Sequence, residues 1–218
     1  MRKLQMSFSL ILISVFLMGC GNGGGGTKPP SIDEQIATHM AHGWEKFEIA
    51  DYDSAEYYFD QVLSLRADVP EGQLGKGWSK MLVEDSDYQN IETLFASAVS
   101  DTSVQKDALA GLGIVNNLQK KYSSSANYIN QLLEIASSYV FSHKSDINYQ
   151  DLLVIQSHSY FYNKQFDQAY ESILQLTTQY IFDPFDDDTW IVDGKVYPSY
   201  EGAISAVLAK LSDLYKSF

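Results

Sequence analysis

An aromatic residue returns at Tyr52, Tyr88, Tyr122 and Phe166, at intervals of 36, 34 and 44 residues, and each time it opens the same pattern. After it come Ala55, Phe59 and Val62; Ile91, Phe95 and Ala98; Ala126, Ile129 and Leu133; Ala169, Ile173 and Leu176. Spacings of three and four residues make the apolar stripe of an amphipathic helix. Before each aromatic sit a small residue and a larger apolar one: Gly43 and Phe47, Gly77 and Met81, Gly113 and Leu118, Ser157 and Phe161. Ser31 and Glu34 have capping-box spacing, so a first helix is expected to open there and run to about Ala50, with a turn at Asp51–Asp53. Two helices with a three-residue joint form an αα-hairpin, in which the small residue lets the helices cross closely and the aromatic fills the joint. A single hairpin is too thin to bury its apolar face, so successive hairpins must stack.

This pattern resembles the tetratricopeptide repeat, whose period is 34 residues. The nearest copies are GWEKFEIADYDSAEYYFDQVLSL at 43–65 and SHSYFYNKQFDQAYESILQL at 157–176. Gly43, Tyr52, Ala55 and Phe59 fall on the repeat's small, aromatic, small and aromatic positions, and Phe166, Ala169 and Ile173 follow the same frame. The second unit puts Ile91 where a small residue is expected. The third offers Ser125 in strict register with Ala126 one later, and the last interval carries extra length around 137–144. The resemblance spans roughly residues 32–180. It implies an all-α, right-handed superhelical stack of about four hairpins that binds a protein or peptide on the inner face of its first helices. Those positions are Met40, Trp44 and Glu48; Leu74, Trp78 and Leu82; Ala110, Ile114 and Leu118; Val154, His158 and Tyr162. Trp44 and Trp78 suit interface anchors, and equally suit fillers between hairpins or residues covered by the C-terminal helix. Met40, Trp44, Glu48, Leu74, Trp78, His158 and Tyr162 are the expected partner-binding set.

Beyond the repeats the periodicity changes. Asp183, Asp186, Asp187 and Asp188 crowd an acidic turn, and Trp190–Val192 faces Lys195–Tyr197 across Asp193-Gly194, a pair that favours a type I′ hairpin. Such a ribbon is marginal alone and should lie on the helices. Tyr200–Tyr215 then reads as a capping helix with Ile204, Val207, Leu208, Leu211 and Leu214 on one face. The four acidic-turn carboxylates are a weak calcium candidate, because they lack the ladder of a preformed calcium loop. A solvated turn is the alternative.

The 218 residues open with MRKLQMSFSLILISVFLMGC, a basic start and an apolar run of about 11 residues from Phe8 to Met18. A helix of that length rises roughly 17 Å, against roughly 30 Å of hydrocarbon, so the run reads as a signal and not a span. Leu17-Met18-Gly19-Cys20 resembles the lipobox of a bacterial lipoprotein precursor. That resemblance implies a signal peptide of residues 1–19, a thioether-linked lipid with an acylated amino terminus on Cys20, and a tether over 20–30. The repeat domain is then expected over 31–180, the acidic turn and hairpin over 181–198, and the capping helix over 199–218. Without an Asp directly after Cys20, sorting leans toward the outer membrane, with the periplasmic face favoured. The glycine-rich tether reaches roughly 17 Å as a coil and about 35 Å extended, so the folded part should stand close to the bilayer.

Net charge at pH 7 is −13, and −15 once Arg2 and Lys3 leave with the signal. Such a surface repels phosphate backbones and favours a basic partner with an apolar anchor over nucleic acid. One cysteine excludes an internal disulfide and a thiolate-rich metal site. His39 and His42 have i,i+3 spacing without a third ligand nearby, and no HExxH, GxSxG or P-loop occurs. No catalytic residue, metal or cofactor is expected. The function expected is a membrane-anchored, non-catalytic scaffold or accessory subunit of a cell-envelope assembly; a solute-binding lipoprotein for sugar or peptide is the alternative.

Overall fold

A computed structural model describes residues 28–83 and 87–215. Cys20 and the signal lie outside these residues. From Ser31 onward the chain forms four helical hairpins in succession: α1 (Ile32–Glu48) with α2 (Tyr52–Leu65), α3 (Pro70–Met81) with α4 (Tyr88–Ala98), α5 (Gln105–Leu118) with α6 (Tyr122–Ile135), and α7 (Tyr149–Tyr162) with α8 (Phe166–Leu176). A two-stranded ribbon, β1 (Ile191–Val192) and β2 (Lys195–Val196), and the helix α9 (Tyr200–Leu214) follow. α1 packs on α3, α3 on α5 and α5 on α7, so the first helices make one layer of the stack.

All four joint aromatics are the first residue of a second helix, and the chain enters three of them in a common way. Ala50, Lys120 and Lys164, each two residues before its aromatic, are left-handed with φ of 61°, 60° and 61°. Asp51 N–H donates to the Lys46 carbonyl and Ala50 N–H to Phe47, with matching pairs at Lys121 and Lys120 and at Gln165 and Lys164. This double bond pattern is a Schellman stop, which satisfies carbonyls the helix end leaves over. Glycine usually holds the left-handed position, but none of these three residues is glycine. Asp51 and Asp87 then cap α2 and α4 by accepting from the backbone N–H of Ser54 and Asn90.

The glycines lie where second-helix side chains press on first-helix backbone. A Cβ on Gly43 would come within 2.7 Å of the Phe59 ring, one on Gly77 within 2.9 Å of Phe95, and one on Gly113 within 2.6 Å of Ile129. The next hairpin closes the other side: Gly75 abuts Phe59 and Gly111 abuts Phe95. Phe59 and Phe95 are thus each clasped between two glycine surfaces and fully buried, which makes them the pins that join hairpin to hairpin.

The third and fourth hairpins meet through a polar seam. Ser125, in strict register, donates to the Gly113 carbonyl at 2.7 Å and accepts from Ser159 at 2.9 Å, while Gln156 bridges Asn130 and Ser172. Each of these buried groups has a partner, so the seam specifies one register at little cost.

The apolar side chains form two cores. One spans the first three hairpins together with Tyr139, Phe141 and Ile147; the other joins α8, the ribbon and α9. In the ribbon Ile191 pairs with Val196 and Val192 with Lys195, and Asp193 and Gly194 take φ of 51° and 77°, as a type I′ turn requires. On α9, Ile204, Val207, Leu208 and Leu211 are buried, but Leu214 is 75% exposed, against the expectation that it shares the buried face; at this end of the helix Tyr215 packs on the core instead. Among the described residues no helix is long and apolar enough to cross a membrane.

Candidate functional site

Of the first-helix positions named from the sequence, Trp44, Glu48 and Trp78 meet the segment that follows α6, and Ile114, Leu118, Val154 and His158 line one opening. The extra length between Tyr122 and Phe166 leaves α6 as a strap over residues 137–148 and crosses the inner faces of the first two hairpins. Tyr139 and Phe141 point in and Val140 and Ser142 point out, the alternation of extended chain. Phe141 is fully buried and stacks on Trp78, with ring centroids 4.5 Å apart and planes 23° apart. His143 lies on Trp44 at 3.8 Å, and its Nδ1 is 2.9 Å from Glu48 Oε1. Tyr139 donates to Asp107 at 2.8 Å. Phe141 N–H donates to the Ile147 carbonyl and Tyr149 N–H to Tyr139, closing the strap on itself.

Trp44 and Trp78 are therefore packed beneath the strap: of the two readings their positions allowed, groove anchor or filler, burial matches the filler. Trp78 is 0% exposed and Trp44 7%. Met40 and Leu74 are buried with them, while Glu48 stays exposed and meets the strap at His143. Trp44 Nε1 donates to Glu71 at 2.8 Å. Trp78 Nε1 is buried with no acceptor among the described residues, which costs about 1–3 kcal/mol.

The face remains accessible farther along. Ile114, Leu118, Val154, Ile155 and His158 line a cavity of about 190 Å³ with Asn117, Asp151, Ser212 and Tyr215. Tyr162 is 56% exposed and stacks on Tyr122 at 5.0 Å. His158 Nε2 lies 2.6 Å from Ser212 Oγ of α9, and burial holds its pKa below the ordinary imidazole value. The C-terminal helix therefore walls one side of this opening. Asp107 is pushed up by burial despite its bond from Tyr139, and burial beside Asp107 raises the Tyr139 hydroxyl far above its usual range.

The acidic turn does not assemble a cation site: among the described residues no group of three or more His, Cys, Asp or Glu is placed to hold a metal ion. Its oxygens instead fold the turn. Asp183 Oδ1 accepts from Phe185 N–H and Asp186 Oδ1 from Asp188 N–H. Sequence reasoning missed Phe141, His143 and Glu71 as parts of this face. The length of the third interval was the available signal, because extra residues between helices must lie on something.

Four stacked hairpins with an inner first-helix face define a helical-hairpin repeat protein, the class to which the fold assigns this chain. No protein-family model matches the sequence, and no curated protein matches it. Among solved structures it is similar to a tetratricopeptide repeat protein from Parabacteroides merdae, at 16% identity and a TM-score of 0.48, over 84% of this chain and 71% of that one.

Proposed function

We propose that this chain is a lipid-anchored, non-catalytic scaffold of the bacterial envelope that holds a segment of a protein partner on the open part of its first-helix face. The observation that carries the reading is the strap: this face holds an extended stretch of chain by aromatic stacking at Trp44 and Trp78 and by the carboxylates of Glu48 and Asp107. The same face continues past the strap to Leu118, His158 and Tyr162, where the remaining apolar surface is uncovered. A net charge of −13 favours a partner with Lys or Arg around an apolar anchor. The cavity, at about 190 Å³, is smaller than the roughly 300–1,000 Å³ of typical small-molecule sites, which favours a protein side chain over a sugar or free peptide.

Anchoring rests on Leu17-Met18-Gly19-Cys20 after a basic and apolar leader, and the outer membrane, periplasmic side, is the proposed location. Two or three acyl chains on one residue would hold the domain firmly. Two measurements test the reading. Cys20→Ser should abolish labelling by a palmitate analogue, and equal labelling would remove the anchor. Cross-linking in native membranes should recover a partner whose affinity falls at least tenfold in Leu118→Asp/Tyr162→Ala; unchanged affinity would move recognition off this face.

A further inference from the structure

The most exposed large apolar side chain of the described residues belongs to no repeat. Phe185 is 96% exposed at the tip of the acidic turn. Single exposed apolar residues are ordinary on protein surfaces, so exposure alone says little. What separates Phe185 is how firmly the backbone beneath it is tied. Its neighbour Phe182 is buried against Tyr170, with rings 5.3 Å apart, and Phe182 N–H donates to the Tyr170 hydroxyl at 2.7 Å. The chain leaves that root, turns at Pro184, and is cross-tied within a few residues. Asp186 N–H returns to the Asp183 carbonyl, Thr189 Oγ1 accepts from Asp183 N–H and donates to the Asp186 carbonyl, and Trp190 Nε1 donates to the Asp183 carbonyl at 2.8 Å. Pro at the second position and Asp at the first suit such a turn. The backbone that carries the ring is thus tied down, so docking costs the rotamer freedom of one side chain and little backbone freedom.

Charge selects what it fits. Asp183, Asp186, Asp187 and Asp188 surround the ring in sequence, and among the described residues none of them is in an ion pair. A second copy would bring the same sign to the contact from a chain of net charge −13, and an anionic bilayer would repel it likewise. The next residues continue the apolar character, because Ile191 and Val196 are cross-strand partners on the outer side of the ribbon and both are exposed.

We infer that the turn is a second docking element, separate from the first-helix face, whose Phe185 ring enters an apolar pocket rimmed by Lys or Arg on a protein partner. The aromatic supplies the anchor and the four carboxylates supply steering and orientation. Recognition at this end of the chain then lies on the C-terminal core of α8, ribbon and α9, and does not require the opening at His158.

The test uses the full-length protein in its own membrane, with p-benzoylphenylalanine at 185 and, as a control on a distant exposed aromatic, at Tyr57. The probe at 185 should give a protein adduct that the Tyr57 probe does not, and mass spectrometry identifies it. The purified adduct protein is then titrated calorimetrically. Phe185→Ala should weaken it at least tenfold with an unchanged melting temperature, since nothing folds on that ring. Asp187→Asn/Asp188→Asn should slow association and flatten its salt dependence. Adducts only to a second copy or to lipid, no adduct above the Tyr57 control, or affinity within twofold after Phe185→Ala would each overturn the inference. A partner lost through Leu118→Asp/Tyr162→Ala but untouched by Phe185→Ala leaves the first-helix reading standing and removes this one; the reverse pattern does the opposite.

Discussion

His143 lies flat on Trp44, with ring centroids 3.8 Å apart and planes 4° apart, although about a hundred residues separate them in the chain. Contacts in a stack of hairpins are otherwise nearly all between neighbours. This one ties the connection after the third hairpin back to the first, and Phe141 fastens the second on the way by stacking on Trp78. The strap thus gives the first three hairpins a shared core, and its aromatic residues should contribute as core residues do.

Replacing Phe141 with Ala should cost about 3–5 kcal/mol, the range for deleting a buried aromatic ring. Val140→Ala, beside it but half exposed, should cost less than about 1 kcal/mol. Urea unfolding compares the two, and tryptophan emission in Phe141→Ala should shift to the red as Trp44 and Trp78 meet water. Equal midpoints for the two variants would mean that the strap rests on the face without packing into it.

The left-handed joints offer stability in the other direction. Ala50, Lys120 and Lys164 hold φ near 60° with a Cβ present, which costs roughly 1 kcal/mol or more per residue relative to an unstrained backbone. Glycine at each should raise stability by up to about 1 kcal/mol, the relief being offset in part by the freer unfolded chain. The joints belong to different hairpins, so the gains should add. Thermal melts of the three single variants and the triple variant check this; a triple variant no more stable than wild type would show that the backbone there is not strained.

How much of this was readable from the sequence divides along the same line between local and distant contacts. The joint aromatics, Gly43, Gly77 and Gly113, and the Asp193-Gly194 turn were legible because each depends on residues within one hairpin. The clasping of Phe59 by Gly75 was not separately read, since Gly75 belongs to the next hairpin and lacks a fixed offset that a single sequence reveals. Trp44 and Trp78 sit on the expected face, but their cover comes from residue 141 and its neighbours, and nothing in the spacing of a tryptophan says what lies over it. At the candidate site, His158 and Tyr162 flank an opening that α9 narrows, a relation set by the second core and invisible to the repeat pattern.

The clasp makes Gly75 and Gly111 intolerant of even one carbon. Alanine is the better helix former by about 1 kcal/mol, yet its methyl would come within 2.3 Å of the Phe59 ring at 75 and 2.5 Å of Phe95 at 111. Overpacking of this kind typically costs 1–3 kcal/mol, so it should win and both variants should be destabilised. Phe59→Leu should partly restore Gly75→Ala, and the two changes together should cost less than their sum. Strict additivity in a double-mutant cycle would mean that the ring and the backbone do not touch.

His158 should make stability fall on mild acidification. Its ring is half-buried against α9 beside Ser212, and burial lowers its pKa from the ordinary value of about 6.5 because the charged imidazolium is the form that loses solvation. The unfolded chain therefore binds the proton first as pH falls. Stability from this residue is fully present above about pH 6.5, declines below it, and stops changing once the folded-state pKa has been passed. Asp107, whose carboxyl is raised by burial, works the other way at lower pH, losing its contribution as pH rises through the folded-state value. The difference between wild type and His158→Gln isolates the histidine, since every other group is shared. Urea unfolding from pH 8 to 5 should give two curves that run parallel above about pH 6.5 and converge or cross below it, the variant having lost the acid sensitivity. Curves parallel throughout would put the His158 ring in water in the folded state and leave the opening between α7 and α9 wider than the geometry gives it.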